Sequence, residues 1–134
     1  MTDTYVYIFA TKDGDEWRGP VKVGLTGNVA GRLAAIRTAC PHNVGLFASL
    51  RLPSRDVARD LERCFHRVKK DTRMNGEWFD MEPRVAYESL CYGLVVGLVY
   101  QMPNSTIEEV RKCADWAGAD VEIPESVFDR RVSA

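Results

Sequence analysis

Glu62 and His66 stand four residues apart in the stretch Leu61-Glu62-Arg63-Cys64-Phe65-His66. On a helix that spacing turns both side chains to one face. A carboxylate so placed is a hard oxygen ligand suited to Mg²⁺ or Mn²⁺, with waters and substrate phosphates completing the shell. The imidazole beside it would orient a water, contact a phosphate or satisfy the carboxylate. The plainer alternative is an ordinary pair on a helix surface. Arg32 offers a guanidinium that can neutralise charge growing on a phosphoryl group, or else a surface salt bridge. Tyr7 lies two residues after Tyr5 in an apolar run, so the two rings share a sheet face. A phenol in that place either packs the core or acts on a proton. With a reference pKa near 10, it needs a neighbouring cation or a metal-bound water to serve as a base.

Charge is distributed unevenly around these residues. The 134-residue chain carries 18 Lys and Arg against 19 Asp and Glu, a formal net charge of −1. From Arg18 to Arg73 there are twelve basic and four acidic residues, a net of +8; from Met81 onward there are five and nine, a net of −4. A strongly basic whole-protein attraction to nucleic acid is excluded, but a local polyanion-binding surface is not. Arg55, Arg59, Arg63 and Arg67 recur every four residues beside the Glu62–His66 pair, with Lys69, Lys70 and Arg73 following. Such a stripe is either a solvated face or a set of non-specific phosphate contacts.

The elements that must hold these residues are legible from local signals. Thr4–Ala10 is a central strand rich in β-branched and aromatic residues. Thr11–Pro20 is polar, with Gly14, Gly19 and Pro20, and reads as a turn or long hairpin loop leading to an apolar strand over Val21–Leu25. Asn28 caps a helix to about Thr38 that carries Arg32. Val44–Leu52 is a third strand. Ser54 caps a second helix whose buried stripe is Val57, Ala58, Leu61, Phe65 and Val68. Asp71–Gly76 is a loop, and Glu77-Trp78-Phe79-Asp80 a short strand or extended corner that packs the sheet edge. A third helix follows Pro83 and ends at Pro103. Ser105-Thr106-Ile107-Glu108 matches a capping box for a last helix to about Ala117. Gly118–Ala134 reads as a peripheral tail.

The pieces Tyr5-Val6-Tyr7, Val21-Lys22-Val23-Gly24, Arg32, Glu62-Arg63-Cys64-Phe65-His66 and Glu77-Trp78-Phe79 occur in that order, with eight residues from Gly24 to Arg32. Over residues 4–80 the chain resembles the GIY-YIG nuclease superfamily, in its compact viral and bacterial branch with E-x-x-x-H and Glu-Trp-Phe elements. The resemblance implies an α+β fold: a small three-stranded antiparallel sheet flanked by helices, forming a nuclease-like unit over residues 1–83. It leaves residues 84–134 as a helical extension, packed on the same domain or forming an interface. It implies a metal-dependent endonuclease acting on DNA. Tyr7 would match the catalytic tyrosine, Gly24 the glycine of the second motif, Arg32 the catalytic arginine and Glu62 the carboxylate holding Mg²⁺ or Mn²⁺, with His66 in support. Lys22 stands where better-known members have a second tyrosine. It would bind a phosphate or lower the phenol's pKa. The competing class is a non-catalytic nucleic-acid-binding or protein-interaction module on the same fold.

Two further expectations concern setting. The cysteines Cys40, Cys64, Cys91 and Cys113 form no C-x-x-C pair, and the N-terminus has neither basic nor apolar leader character. A cytoplasmic protein with reduced thiols follows. The apolar run Leu90–Tyr100 is too short to span a bilayer. It reads as a buried helix, or as the interface of a homodimer.

Overall fold

A computed structural model of the chain describes residues 3–40, 43–120 and 126. Its strands are β1 (Thr4–Asp13), β2 (Glu16–Thr26), β3 (Val44–Leu52), β4 (Arg73–Asn75) and β5 (Trp78–Phe79); its helices are α1 (Val29–Ala39), α2 (Arg55–Val68), α3 (Pro83–Gln101) and α4 (Ile107–Ala117). The sheet has five antiparallel strands in the order β3-β1-β2-β5-β4. The α+β layout is as expected, but the three-stranded sheet is not. β5 pairs with Val21 and Lys22 of β2, and β4 pairs with β5 across a turn at Gly76. The short strand or corner expected over Glu77–Asp80 is β5, which joins the sheet, whereas β4 lies where a loop was expected, because three residues are too few to display a two-residue period.

The polar stretch Thr11–Pro20 is also strand rather than loop. β1 and β2 continue as an antiparallel ribbon out to Asp13 and Glu16, closed by a tight turn at Gly14 with φ +63°. A register shift between Ala10 and Thr11 marks where this arm leaves the core-forming part, and Trp17 of the arm still packs against the core and the Phe47 ring. Both faces of the arm's tip meet water, which is why it lacks an apolar signature.

Local caps behave as the sequence suggests at two helices. Asn28 accepts a hydrogen bond from Gly31 N at α1, and Ser54 from Val57 N at α2. At α4 the capping box is one residue later than expected: Thr106 and Glu109 form it, not Ser105 and Glu108. Pro83 starts α3, where its missing N–H costs nothing.

The two sheet faces are covered differently. Val6, Ile8, Ala10, Val21 and Val23 point to one face and form the main core with Leu61 and Phe65 of α2, Leu90 and Val95 of α3, and Val110 of α4. Most of the apolar run in α3 is used here, since Leu90, Cys91, Leu94, Val95 and Val99 are all buried within this chain while Tyr92 and Tyr100 are exposed. Val96 and Leu98 of the same run are half-buried and pack against this core. Among the described residues no helix is long and apolar enough to cross a membrane. Tyr7, Phe9 and Val44 face the other way, under Leu33 and Ile36 of α1.

The chain just after α4 is anchored rather than peripheral. Tyr87 of α3 donates to Gly118 O and accepts from Asp120 N, both at 2.7 Å, and Ala119 is buried. The rest of the expected tail, apart from residue 126, lies outside the described residues.

Candidate active site

β5 ends after two pairings, so β2 beyond Lys22 has an open edge. Around that edge the two layers of the fold meet. From the α1 side come Tyr7, paired across the strands with Gly24, and Lys22, paired with Phe9. From the α2 side come Glu62 and His66. Glu77 arrives at the head of β5, where its carbonyl accepts from Val23 N at 3.0 Å.

Gly24 is required by close approach. A Cβ at this position would overlap the Tyr7 hydroxyl and stand 2.6 Å from Glu77 Oε2. Its absence lets the phenol of a ring only 1% exposed reach the strand edge. Phe9 stacks on that ring with centroids 4.1 Å apart and holds it in place.

Three side chains converge on the phenol and its neighbour. The Tyr7 hydroxyl donates to Glu77 Oε2 at 3.4 Å, and Arg32 Nε donates to the Tyr7 oxygen at 3.5 Å. Lys22 Nζ pairs with the same Glu77 oxygen at 3.2 Å and lies over the Trp78 ring, 5.7 Å from its centroid. Lys22 is a buried ammonium, and a buried ammonium needs an anionic partner. Glu77 supplies it. Burial raises the Tyr7 pKa above its ordinary value, and the Glu77 charge adds to that, while the hydrogen bond and charge of Arg32 oppose it.

Glu62 and His66 face each other as their spacing requires, with Nε2 to Oε1 at 4.0 Å. The same Nε2 lies 3.0 Å from Val23 O on the open edge of β2. Burial raises the Glu62 pKa, and the nearby Glu77 carboxylate raises it further; His66, Arg63 and Arg59 pull it down. Glu62 therefore belongs to the same electrostatic site as Glu77. Tyr7 and Arg32 thus meet directly, Lys22 joins them through Glu77, and Glu62 with His66 forms an adjoining pair. Sequence reasoning assigned no role to Glu77. Lys22, set within a strand of buried valines, was the signal that an anion had to lie near it.

Among the described residues no group of three or more His, Cys, Asp or Glu side chains is arranged to hold a metal ion. A cation here would rest on the Glu62 carboxylate alone, a donor set suited to an ion that keeps most of its waters. The half-buried Glu62, its charged form disfavoured by burial and by Glu77, would gain from a nearby cation. The donor chemistry therefore fits Mg²⁺ or Mn²⁺.

A separate groove of about 680 Å³ runs between α2 and α3, lined mainly by apolar side chains such as Val57, Leu61, Phe65 and Leu94. None of Tyr7, Lys22, Arg32, Glu62, His66 or Glu77 lines it, so it is distinct from the polar cluster.

A family model for the T5orf172 domain matches residues 4–93. The chain belongs to the T5orf172 domain family. This is a phage-associated domain of the GIY-YIG-like and HNH endonuclease-like group, and membership points to a nuclease-like or DNA-binding module. The T5orf172 match covers every strand and enters α3, so all six residues of the polar cluster fall inside it. No curated protein and no solved structure gives a significant match.

Proposed function

We propose that this T5orf172 domain is a metal-dependent endonuclease that hydrolyses phosphodiester bonds in DNA, on a GIY-YIG-like plan. The observation that carries the reading is the Tyr7 hydroxyl, bracketed by Arg32 and Glu77 at the strand edge cleared by Gly24. A buried phenol with a guanidinium on its oxygen is preorganised to act on a proton beside an anionic reacting group.

Arg32 is exposed and spends only Nε on Tyr7. Its remaining N–H donors are available to a scissile phosphate and to charge developing in the transition state. Lys22 adds positive charge from behind Glu77. Glu62 would hold Mg²⁺ or Mn²⁺, with His66 fixing the carboxylate's surroundings. When bound, the ion supplies Lewis-acid stabilisation to the phosphoryl or leaving oxygen. Arg59 and Arg63 lie close enough to Glu62 to influence it, and form no ion pair with an acidic side chain among the described residues. They suit sequence-independent contact with the DNA backbone.

Plasmid cleavage with added Mg²⁺ or Mn²⁺, comparing the intact chain with Glu62→Ala, tests the reading. Metal-dependent nicking or linearisation, abolished by the substitution, is expected. DNA binding without cutting in either form would overturn it in favour of a non-catalytic binding module. Equal cutting by both would remove Glu62 from the site.

A further inference from the structure

Every buried phenol must place its proton somewhere, and here the recipient is visible. Tyr7 Oη has one hydrogen to donate and two lone pairs. The hydrogen points to Glu77 Oε2, and one lone pair accepts from Arg32 Nε. The second lone pair takes no hydrogen bond from a protein donor among the described residues. Glu77 is reached from β1 by Tyr7, from β2 by Lys22, and electrostatically from α1 by Arg32 and from α2 by Glu62, with His66 beyond it. On its own side, Arg73 is held by the Gly76 carbonyl at 2.6 Å.

We propose that Glu77 is the terminal proton acceptor of the site, working through the Tyr7 hydroxyl, which passes a proton on without becoming a free tyrosinate. The inference rests on the nuclease reading and deepens it. In the step, a water oxygen forms its bond to phosphorus as the bond from phosphorus to the leaving oxygen breaks. One water proton moves to Tyr7 Oη while the phenol's own proton moves to Glu77 Oε2. The leaving oxygen takes a proton from solvent, and the Glu77 carboxyl returns its proton to solvent, which it can reach because its side chain is 35% exposed. A relay of this kind avoids the species that burial and the Glu77 charge both oppose. Arg32 holds the phenol oxygen in line, and Lys22 keeps Glu77 in its acceptor position.

Glu77 does not touch substrate in this scheme, so loss of activity alone is not a sufficient test. Glu77→Gln keeps the shape and the hydrogen bond from Tyr7 but cannot take a proton at neutral pH. Its cleavage rate should fall by about 100-fold, the lower end expected for a general base, with binding of uncut DNA within about threefold of wild type. Its rate should also rise about tenfold per pH unit above neutrality, because free hydroxide replaces the lost acceptor, while the wild-type rate should stay level. Glu77→Asp should recover part of the rate and restore the level profile. Independently of activity, absorbance titration of the phenols, with Tyr7→Phe to identify Tyr7, should show its ionisation at lower pH in Glu77→Gln than in wild type.

Wild-type cleavage and an unchanged pH profile in Glu77→Gln would overturn the relay while leaving the nuclease reading intact. A loss that Glu77→Asp does not relieve, with Tyr7 titrating as in wild type, would reduce Glu77 to a structural partner of Lys22 and also overturn it. Absence of metal-dependent cutting by the wild-type protein would remove both proposals together.

Discussion

The two faces of the β1–β2 hairpin are made from alternating residues of the same strands, yet they serve opposite ends. Val6, Ile8, Val21 and Val23 carry nothing polar beyond their backbones and seal the main core under α2, α3 and α4. Tyr7, Phe9, Lys22 and Gly24, their immediate neighbours in sequence, face α1 and are equally buried. The lesson is that burial does not separate core from chemistry here. What separates them is the polar atom at the end of each buried stem, together with the partner that satisfies it: Arg32 and Glu77 for the phenol, Glu77 for the ammonium.

Substitutions one residue apart should therefore fail in different ways. Ile8→Ala deletes a fully buried side chain from the main core and should cost about 2–5 kcal/mol of stability, read by chemical denaturation. DNA cutting measured on the folded fraction should hardly change. Tyr7→Phe should do the reverse: cleavage falling by about 100-fold or more, with Tm shifted only slightly, because the ring and its stacking on Phe9 remain. Equal stability losses for the two would break the comparison.

Gly24→Ala probes the boundary between the faces. The added methyl collides with the Tyr7 hydroxyl and Glu77, so about 1–3 kcal/mol of stability should be lost, with cleavage falling further than stability alone explains. Weaker still, the Arg59→Ala and Arg63→Ala pair should leave the fold intact. It should lower the slope of log binding constant against log salt by about 0.9 for each phosphate contact removed.

The smallest effect concerns pH. Glu62 has a folded pKa above its unfolded value, so between the two the folded chain holds the extra proton, and stability falls as pH rises through that window. Glu62→Gln removes this dependence. Its Tm should be slightly above wild type at neutral pH and should converge with it as the pH drops below the usual carboxylate range.

Much of the scaffold was legible because its signals are local. Asn28 and Ser54 announce their helices by bonding to backbone three residues on, and β3 begins and ends where its apolar run does. The site was legible in part for the same reason, since Glu62 and His66 are one helical turn apart. Where the reading stopped, the deciding interaction is remote. Glu77 touches Tyr7 across 70 positions of sequence, and no periodicity encodes that. β4 exists because β5, itself docked on the edge of β2, offers it a partner, not because Arg73-Met74-Asn75 favours strand by itself. The capping box at α4 shifted by one because Ser105-x-x-Glu108 and Thr106-x-x-Glu109 satisfy the same pattern equally well, and the pattern alone cannot choose between them.

The contact between His66 Nε2 and Val23 O has a consequence for how copies of the chain meet one another. Where β5 stops, the Val23 carbonyl of β2 would otherwise be left unpaired at the strand edge, the kind of surface on which a second polypeptide can add itself as a strand. By spending its Nε2 hydrogen there, the imidazole plugs the gap that the short β5 leaves. Replacing His66 with Ala should then raise the tendency of concentrated protein to self-associate, measurable by light scattering, quite apart from any change in DNA cutting.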